Sequence, residues 1–167
     1  MLNFKPRNRP FSDAEFKTIY SQTPRLTVDI ILKIGSGLVL VERQEESWHG
    51  QWHLPGGTVF YREKLANAIR RVGLEELGIA VQPLKLVEPI EYWDELEERG
   101  FGFSVSLVYI CEAVEPITPE LISAWKNQKI EIFDQVPANT VREQIPLIKH
   151  QLSESRRSFS QTVLTSA

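Results

Sequence analysis

A glycine-rich turn that runs straight into an amphipathic helix, GGTVFYREKLANAIRRVGLEELGI over residues 56–79, constrains this chain more than any other stretch. Leu65, Ala68, Ile69 and Val72 recur at helical spacing over a helix predicted for Lys64–Leu77, and Gly78 ends it in the manner of a C-terminal glycine. Gly73 inside that helix costs about 1 kcal/mol relative to alanine, which points to a neighbour needing the room. At the far end Glu75 and Glu76 stand roughly 100° apart around the helix, so both can lean toward one cation. Gly57 has no side chain, so its carbonyl can approach the same ion closely. Two carboxylates and a backbone oxygen suit a hard divalent cation, and such a cation polarises phosphate esters toward attack.

Size and charge narrow what can surround this motif. A chain of 167 residues suits one domain with room for a core and a cleft, and 42% hydrophobic with 25% charged residues is the composition of an ordinary globular protein. The balance of 19 basic against 22 acidic residues, a net charge of −3, argues against a nucleic-acid binder, which normally displays clustered Lys and Arg. Cys111 is the single cysteine and has no internal disulfide partner, so it is expected as a buried free thiol in an apolar strand. No apolar run approaches the ~20 residues of a membrane span, and the N-terminus lacks a hydrophobic signal segment. A cytoplasmic protein that does not enter membranes is the expectation.

Residues 1–11 hold prolines and basic residues and read as a flexible lead, residues 12–153 as the folded domain, and residues 154–167, rich in Ser, Thr and Arg, as a loosely held tail. Ser12 can cap a helix over about Asp13–Ser21 that stops before Pro24. Leu26–Ile34 alternates as a strand with one face more buried, with Asp29 and Lys33 on the other. The turn Gly35-Ser36-Gly37 joins it to a strand over Leu38–Arg43 as a hairpin. Trp52–Leu54 and Thr58–Phe60 are short extended pieces around a Pro55-Gly56-Gly57 turn. Val81–Glu91 reads as a strand broken near Pro83 and Pro89, Asp94–Gly100 as an acidic loop, and Phe103–Val114 as a strand covered on both faces. A helical turn at Glu120–Ala124, a strand at Lys129–Phe133 and a helix over Val141–Leu152, poorly suited to Pro146, complete the order. Strands before and after a central helix imply an α/β fold with a mixed sheet between helical layers.

The spacing Gly57-x5-Glu63-x7-Arg71-Val72-Gly73-x-Glu75-Glu76-x-Gly78-Ile79 resembles the Nudix box, with Val72 where the family writes a glutamate. The resemblance implies an α/β/α sandwich and a Mg2+-dependent, or Mn2+-dependent, hydrolase of nucleoside diphosphates linked to another group. It implies Gly57, Glu75 and Glu76 as metal ligands, and Glu63 with Arg71 as the pair fixing the loop against the helix, these four side chains forming the catalytic set. With less negative charge than a full box, a single metal or weaker binding is expected. Phe16–Pro24, Leu26-Thr27-Val28-Asp29, the hairpin ending in Arg43 and the apolar residue in the box are similar to GDP-mannose mannosyl hydrolases, over roughly residues 11–115.

Arg43 is placed either against substrate phosphate or as an ordinary surface arginine. Trp48, Trp52, Tyr92 and Trp93 are candidates to stack on a base or sugar or else to pack, Trp52 being the structural one. His53 either faces the cleft or is satisfied in place. The similar enzymes attack the sugar carbon with a histidine in the strand matching Phe103–Ile110. Here that strand carries Ser104 and Ser106, and serine takes no proton near neutral pH without another base. The favoured expectation is therefore hydrolysis of a nucleotide sugar at phosphorus, with Glu75, Glu91, Asp94, Glu95, Glu97 or Glu98 activating water. The alternatives are cleavage at the sugar carbon releasing GDP and hexose, and a nucleotide-binding or regulatory module without turnover. The expected partner is a small nucleotide or nucleotide sugar, with a homodimer closed by the N-terminal helix as one option.

Overall fold

The computed structural model describes residues 11–165, with side chains through residue 157; residues 1–10, most of the expected flexible lead, lie outside the described residues. Helix α1 spans Asp13–Tyr20, and Ser12 caps it with Glu15 in a reciprocal capping box, the Glu15 carboxylate accepting from the Ser12 N–H at 2.8 Å. The elements that follow are β1 (Arg25–Ile34), β2 (Gly37–Glu42), β3 (Trp52–His53), β4 (Gly56–Thr58), α2 (Leu65–Val72), β5 (Val81–Tyr92), α3 (Glu95–Arg99), β6 (Ser104–Ala113), α4 (Pro119–Lys126), β7 (Ile130–Phe133) and α5 (Ile145–Thr165).

The chain divides into two compact units, one formed by the sequence up to Ile30 with Pro55–Pro116, the other by Ile31–Leu54 with the sequence from Ile117. In the first unit β1 pairs antiparallel with β4, Val28 opposite Gly57 and Asp29 opposite Gly56, and β5 pairs antiparallel with β6. Helix α2 packs on β4 and β5 with Ala68, Ile69 and Val72 buried, and full burial of each of the two larger ones contributes about 1.5–3 kcal/mol. In the second unit β2 pairs antiparallel with the end of β1, with β3 and with β7, while a parallel bridge joins Trp52 to Thr140. Helix α5 packs on β2 and α4 on β7. Strands interleaved with helices give the α/β class and mixed sheet expected from the sequence.

Several boundaries differ from expectation, each for a physical reason. Gly56 and Gly57 lie in a strand, because their backbone completes a ladder with β1 and the missing side chains leave room for what lies beside them. Asp29 is buried at 5% exposure, since β1 is covered on both faces from Thr27 to Leu32. The expected loop at Asp94–Gly100 contains helix α3, with Glu95 buried in ion pairs. The β6 strand buries Ser104, Ser106, Val108 and Cys111 and leaves Val105, Leu107 and Tyr109 half-buried. Pro146 is the second residue of α5, where its missing N–H would have had no helical partner, so the helix tolerates it. That helix runs to Thr165, through the sequence expected as a tail.

Candidate active site

The box lies wholly in the first unit. Its α-helical part ends at Val72 and continues as a π-helical turn over Gly73–Leu77, closed by Gly78 in the left-handed conformation at φ 69°. The wider turn begins where α2 meets β5. A Cβ built on Gly73 would stand 2.5 Å from a Val81 methyl and 3.1 Å from the Ile79 carbonyl, so the helix passes β5 at a distance only glycine allows. Wide turns of this kind recur at functional sites, and this one carries Glu75 and Glu76.

Arg71 organises the turn. Its Nε and Nη2 donate to the two oxygens of Glu63 at 2.9 and 2.8 Å, its Nη1 donates to Glu75 at 2.9 Å, and its Nη2 also donates to the Thr58 carbonyl at 2.8 Å. The guanidinium lies 3.8 Å from the Phe60 ring centroid. Glu63 in turn accepts from the Phe60 N–H at 2.9 Å, closing the loop between β4 and α2. The Arg71 hydrogen bonds hold the Glu63 carboxyl below its ordinary range, against the upward pull of burial. Burial pulls Arg71 downward, and Glu63 and Glu75 together carry it above its usual value. A guanidinium fork in this arrangement cannot be replaced by a point charge without losing bonds.

The Gly56-Gly57 backbone is enclosed from both faces. A Cβ on Gly57 would stand 2.9 Å from a Val72 methyl, and one on Gly56 would overlap the Asp29 carboxylate. Val72, at the position of the family's glutamate, is thus a buried apolar contact at 1% exposure. Asp29 accepts from the Tyr92 hydroxyl at 2.7 Å. Among the described residues no three His, Cys, Asp or Glu side chains gather as a metal cluster. The carboxylates of Glu75 and Glu76 suit a hard cation that keeps several of its waters. The Gly57 carbonyl, expected beside them, is committed elsewhere: the register makes Val28–Gly57 a hydrogen-bonded pair and directs it at β1, while the Gly56 carbonyl, like the Thr58 carbonyl that accepts from Arg71, points away from β1.

The other sequence-selected residues are distributed between the units. Tyr92 and Trp93 belong to the first, where Trp93 is exposed and its Nε1 donates to Glu91 at 2.9 Å. Glu95 is bound by Arg25 at 2.6 Å, accepts from Ser104 and lies 3.5 Å from Arg99, which makes it a framework carboxylate. Arg43, Trp48 and His53 belong to the second unit. There Arg43 donates to Glu45 at 2.8 Å and to the Ser47 carbonyl at 3.0 Å and stacks over Trp48, and Trp52 packs on Phe133. His53 is buried, with Nδ1 2.7 Å from the Leu54 carbonyl, which fixes a proton on Nδ1. Sequence reasoning passed over Asp29, Thr58 and Phe60. Only Asp29 left a signal, a lone carboxylate among the apolar residues of β1.

A NUDIX domain model matches residues 23–150, and the chain belongs to the Nudix family. Members of this family are hydrolases of small nucleotide substrates and generally use divalent metals such as Mg2+. The low-salt glycan biosynthesis protein Agl8 of Haloferax volcanii is 40% identical over 77 residues, which are 46% of this chain and 49% of that protein. This chain therefore spans about half the length of that relative. The MutT Nudix hydrolase of Burkholderia pseudomallei superposes with a TM-score of 0.59 at 23% identity, covering 77% of this chain and 98% of the other. An ADP-ribose pyrophosphatase of Streptococcus suis does so with a TM-score of 0.54 at 16% identity, covering 80% and 93%. At those identities the likeness is one of fold, and the fold is the Nudix fold.

Proposed function

We propose that this protein is a divalent-metal-dependent hydrolase of a nucleoside diphosphate-linked substrate, a nucleotide sugar, and that water attacks at phosphorus. The observation that carries the reading is the Glu63–Arg71–Glu75 lattice, which braces the turn bearing Glu75 and Glu76 beside the Gly57 strand. Glu75, Glu76 and the Gly56 carbonyl would hold the cation, which would neutralise charge on the phosphate oxygens and acidify bound water. Glu63 and Arg71 keep the turn in place. Tyr92 and Trp93 in the same unit offer aromatic surface to the nucleotide.

The unit that carries the box contains no histidine, and its carboxylates are the side chains ionised as bases near neutral pH. With Glu95 locked in its ion pairs, Glu75 and Glu91 are the carboxylates we assign to that step. The glycan-biosynthesis name of the Haloferax relative supports a sugar-linked substrate. Purified protein supplied with Mg2+ and a panel of nucleotide sugars and nucleoside triphosphates in 18O-water tests the proposal. The expected result is turnover of a nucleotide sugar with label in phosphate, abolished in Glu76→Gln. Label in the hexose, or unchanged turnover in that variant, overturns it.

A further inference from the structure

The pair Asp29 and Tyr92 lies outside the box, yet it touches the strand that bears the proposed metal-binding carbonyl. Side chains of adjacent strand residues point to opposite faces, and directly opposed residues on paired strands share a face. Asp29 is opposite Gly56, and its carboxylate occupies the space over Gly56 that a Cβ would need. On the other face Val72 touches Gly57. The Tyr92 hydroxyl, brought from the end of β5, holds the Asp29 carboxylate from behind at 2.7 Å. Further bonds from β1 fix the ends of β4, the Ile30 N–H to the Pro55 carbonyl at 2.8 Å and the Val59 N–H to the Leu26 carbonyl at 3.0 Å.

We propose that Asp29, held by Tyr92, is a positioning residue that clamps the Gly56-Gly57 backbone against Val72 and so sets the direction of the Gly56 carbonyl, the one that the β1 ladder leaves unused, toward the cation. This rests on the metal reading above. A carboxylate buried at 5% exposure in an apolar strand is costly unless bonded, and here the bond from Tyr92 fixes a carboxylate that packs directly over Gly56. The role is one of shape and hydrogen bonding, so charge at position 29 is not what it requires.

Mn2+ binding followed by electron paramagnetic resonance, with 15N–1H spectra of the metal-free protein, tests the proposal. Tyr92→Phe removes one hydroxyl. It is expected to shift the Gly56 and Gly57 amide resonances and to weaken Mn2+ by about tenfold, as losing a group that orients a ligand does. Asp29→Asn keeps the shape and an accepting oxygen and is expected to bind Mn2+ as the parent does. Unchanged affinity in Tyr92→Phe, or a loss in Asp29→Asn as large as that in Tyr92→Phe, overturns the proposal. Glu76→Gln separates the two readings: if it fails to weaken Mn2+ binding, the metal assignment falls and the clamp falls with it. If Glu76→Gln weakens binding and Tyr92→Phe does not, the clamp alone falls.

Discussion

Arg71 donates four hydrogen bonds to three residues, and that one side chain ties β4, the following loop and the π-helical turn together. Its partner Glu63 has a folded-state carboxyl below the ordinary value of 4.5. A depressed acid contributes stability that is fully present above the unfolded value and is lost as pH falls through the folded one. Glu63→Gln is therefore expected to destabilise by about 1–3 kcal/mol at pH 7, the range for hydrogen bonds to charged groups. The gap between parent and variant should close as the pH is lowered below 4.5, in urea titrations at a series of pH values. A gap that does not narrow on acidification would show that the Glu63 charge is not what holds the loop.

At the scale of the element, Gly73 sets two effects against each other. Alanine is the better helix former by about 1 kcal/mol. Its methyl, however, would press on Val81 at 2.5 Å and on the Ile79 carbonyl at 3.1 Å, and overpacking of that kind costs about 1–3 kcal/mol. The second effect wins, because the carbonyl is backbone and Val81 is fully buried, so neither can move aside. Gly73→Ala is expected to lower the urea midpoint and to disturb the Glu75 and Glu76 resonances; a rise in the midpoint would mean that the π-helical turn relaxes to an α-helix without penalty. The glycine was legible in the sequence as a demand for room, and the kinks at Pro83 and Pro89 likewise appear as register shifts in β5. Helix α3 was not legible, since DELEERG has the composition of a loop and becomes helical by burying Glu95 against Arg25. Nor could Pro146 be placed correctly without knowing that the α-helix starts one residue before it.

For the whole molecule, binding to the folded state alone raises stability by about 2.7 kcal/mol at a hundredfold excess over Kd. Increasing Mg2+ is thus expected to raise the thermal midpoint of the parent protein and to leave that of Glu76→Gln nearly unchanged, a comparison that calorimetry makes directly. Equal rises in both would place the cation elsewhere. The architecture was largely legible, because alternating strands and one strongly patterned helix admit few arrangements. The partners of the box were less so: Thr58 acts through its carbonyl and Phe60 through its ring and N–H, and neither role leaves a trace in residue type. No helix among the described residues is long and apolar enough to cross a membrane.

The valine packed against Gly57 also bears on what the protein requires of its surroundings. A glutamate in place of Val72 would set a carboxylate at a position only 1% exposed, one helical turn before Glu75 and Glu76, where it is costly unless a cation neutralises it. With valine there, the packing of the helix on Gly57 does not depend on metal supply; with glutamate it would.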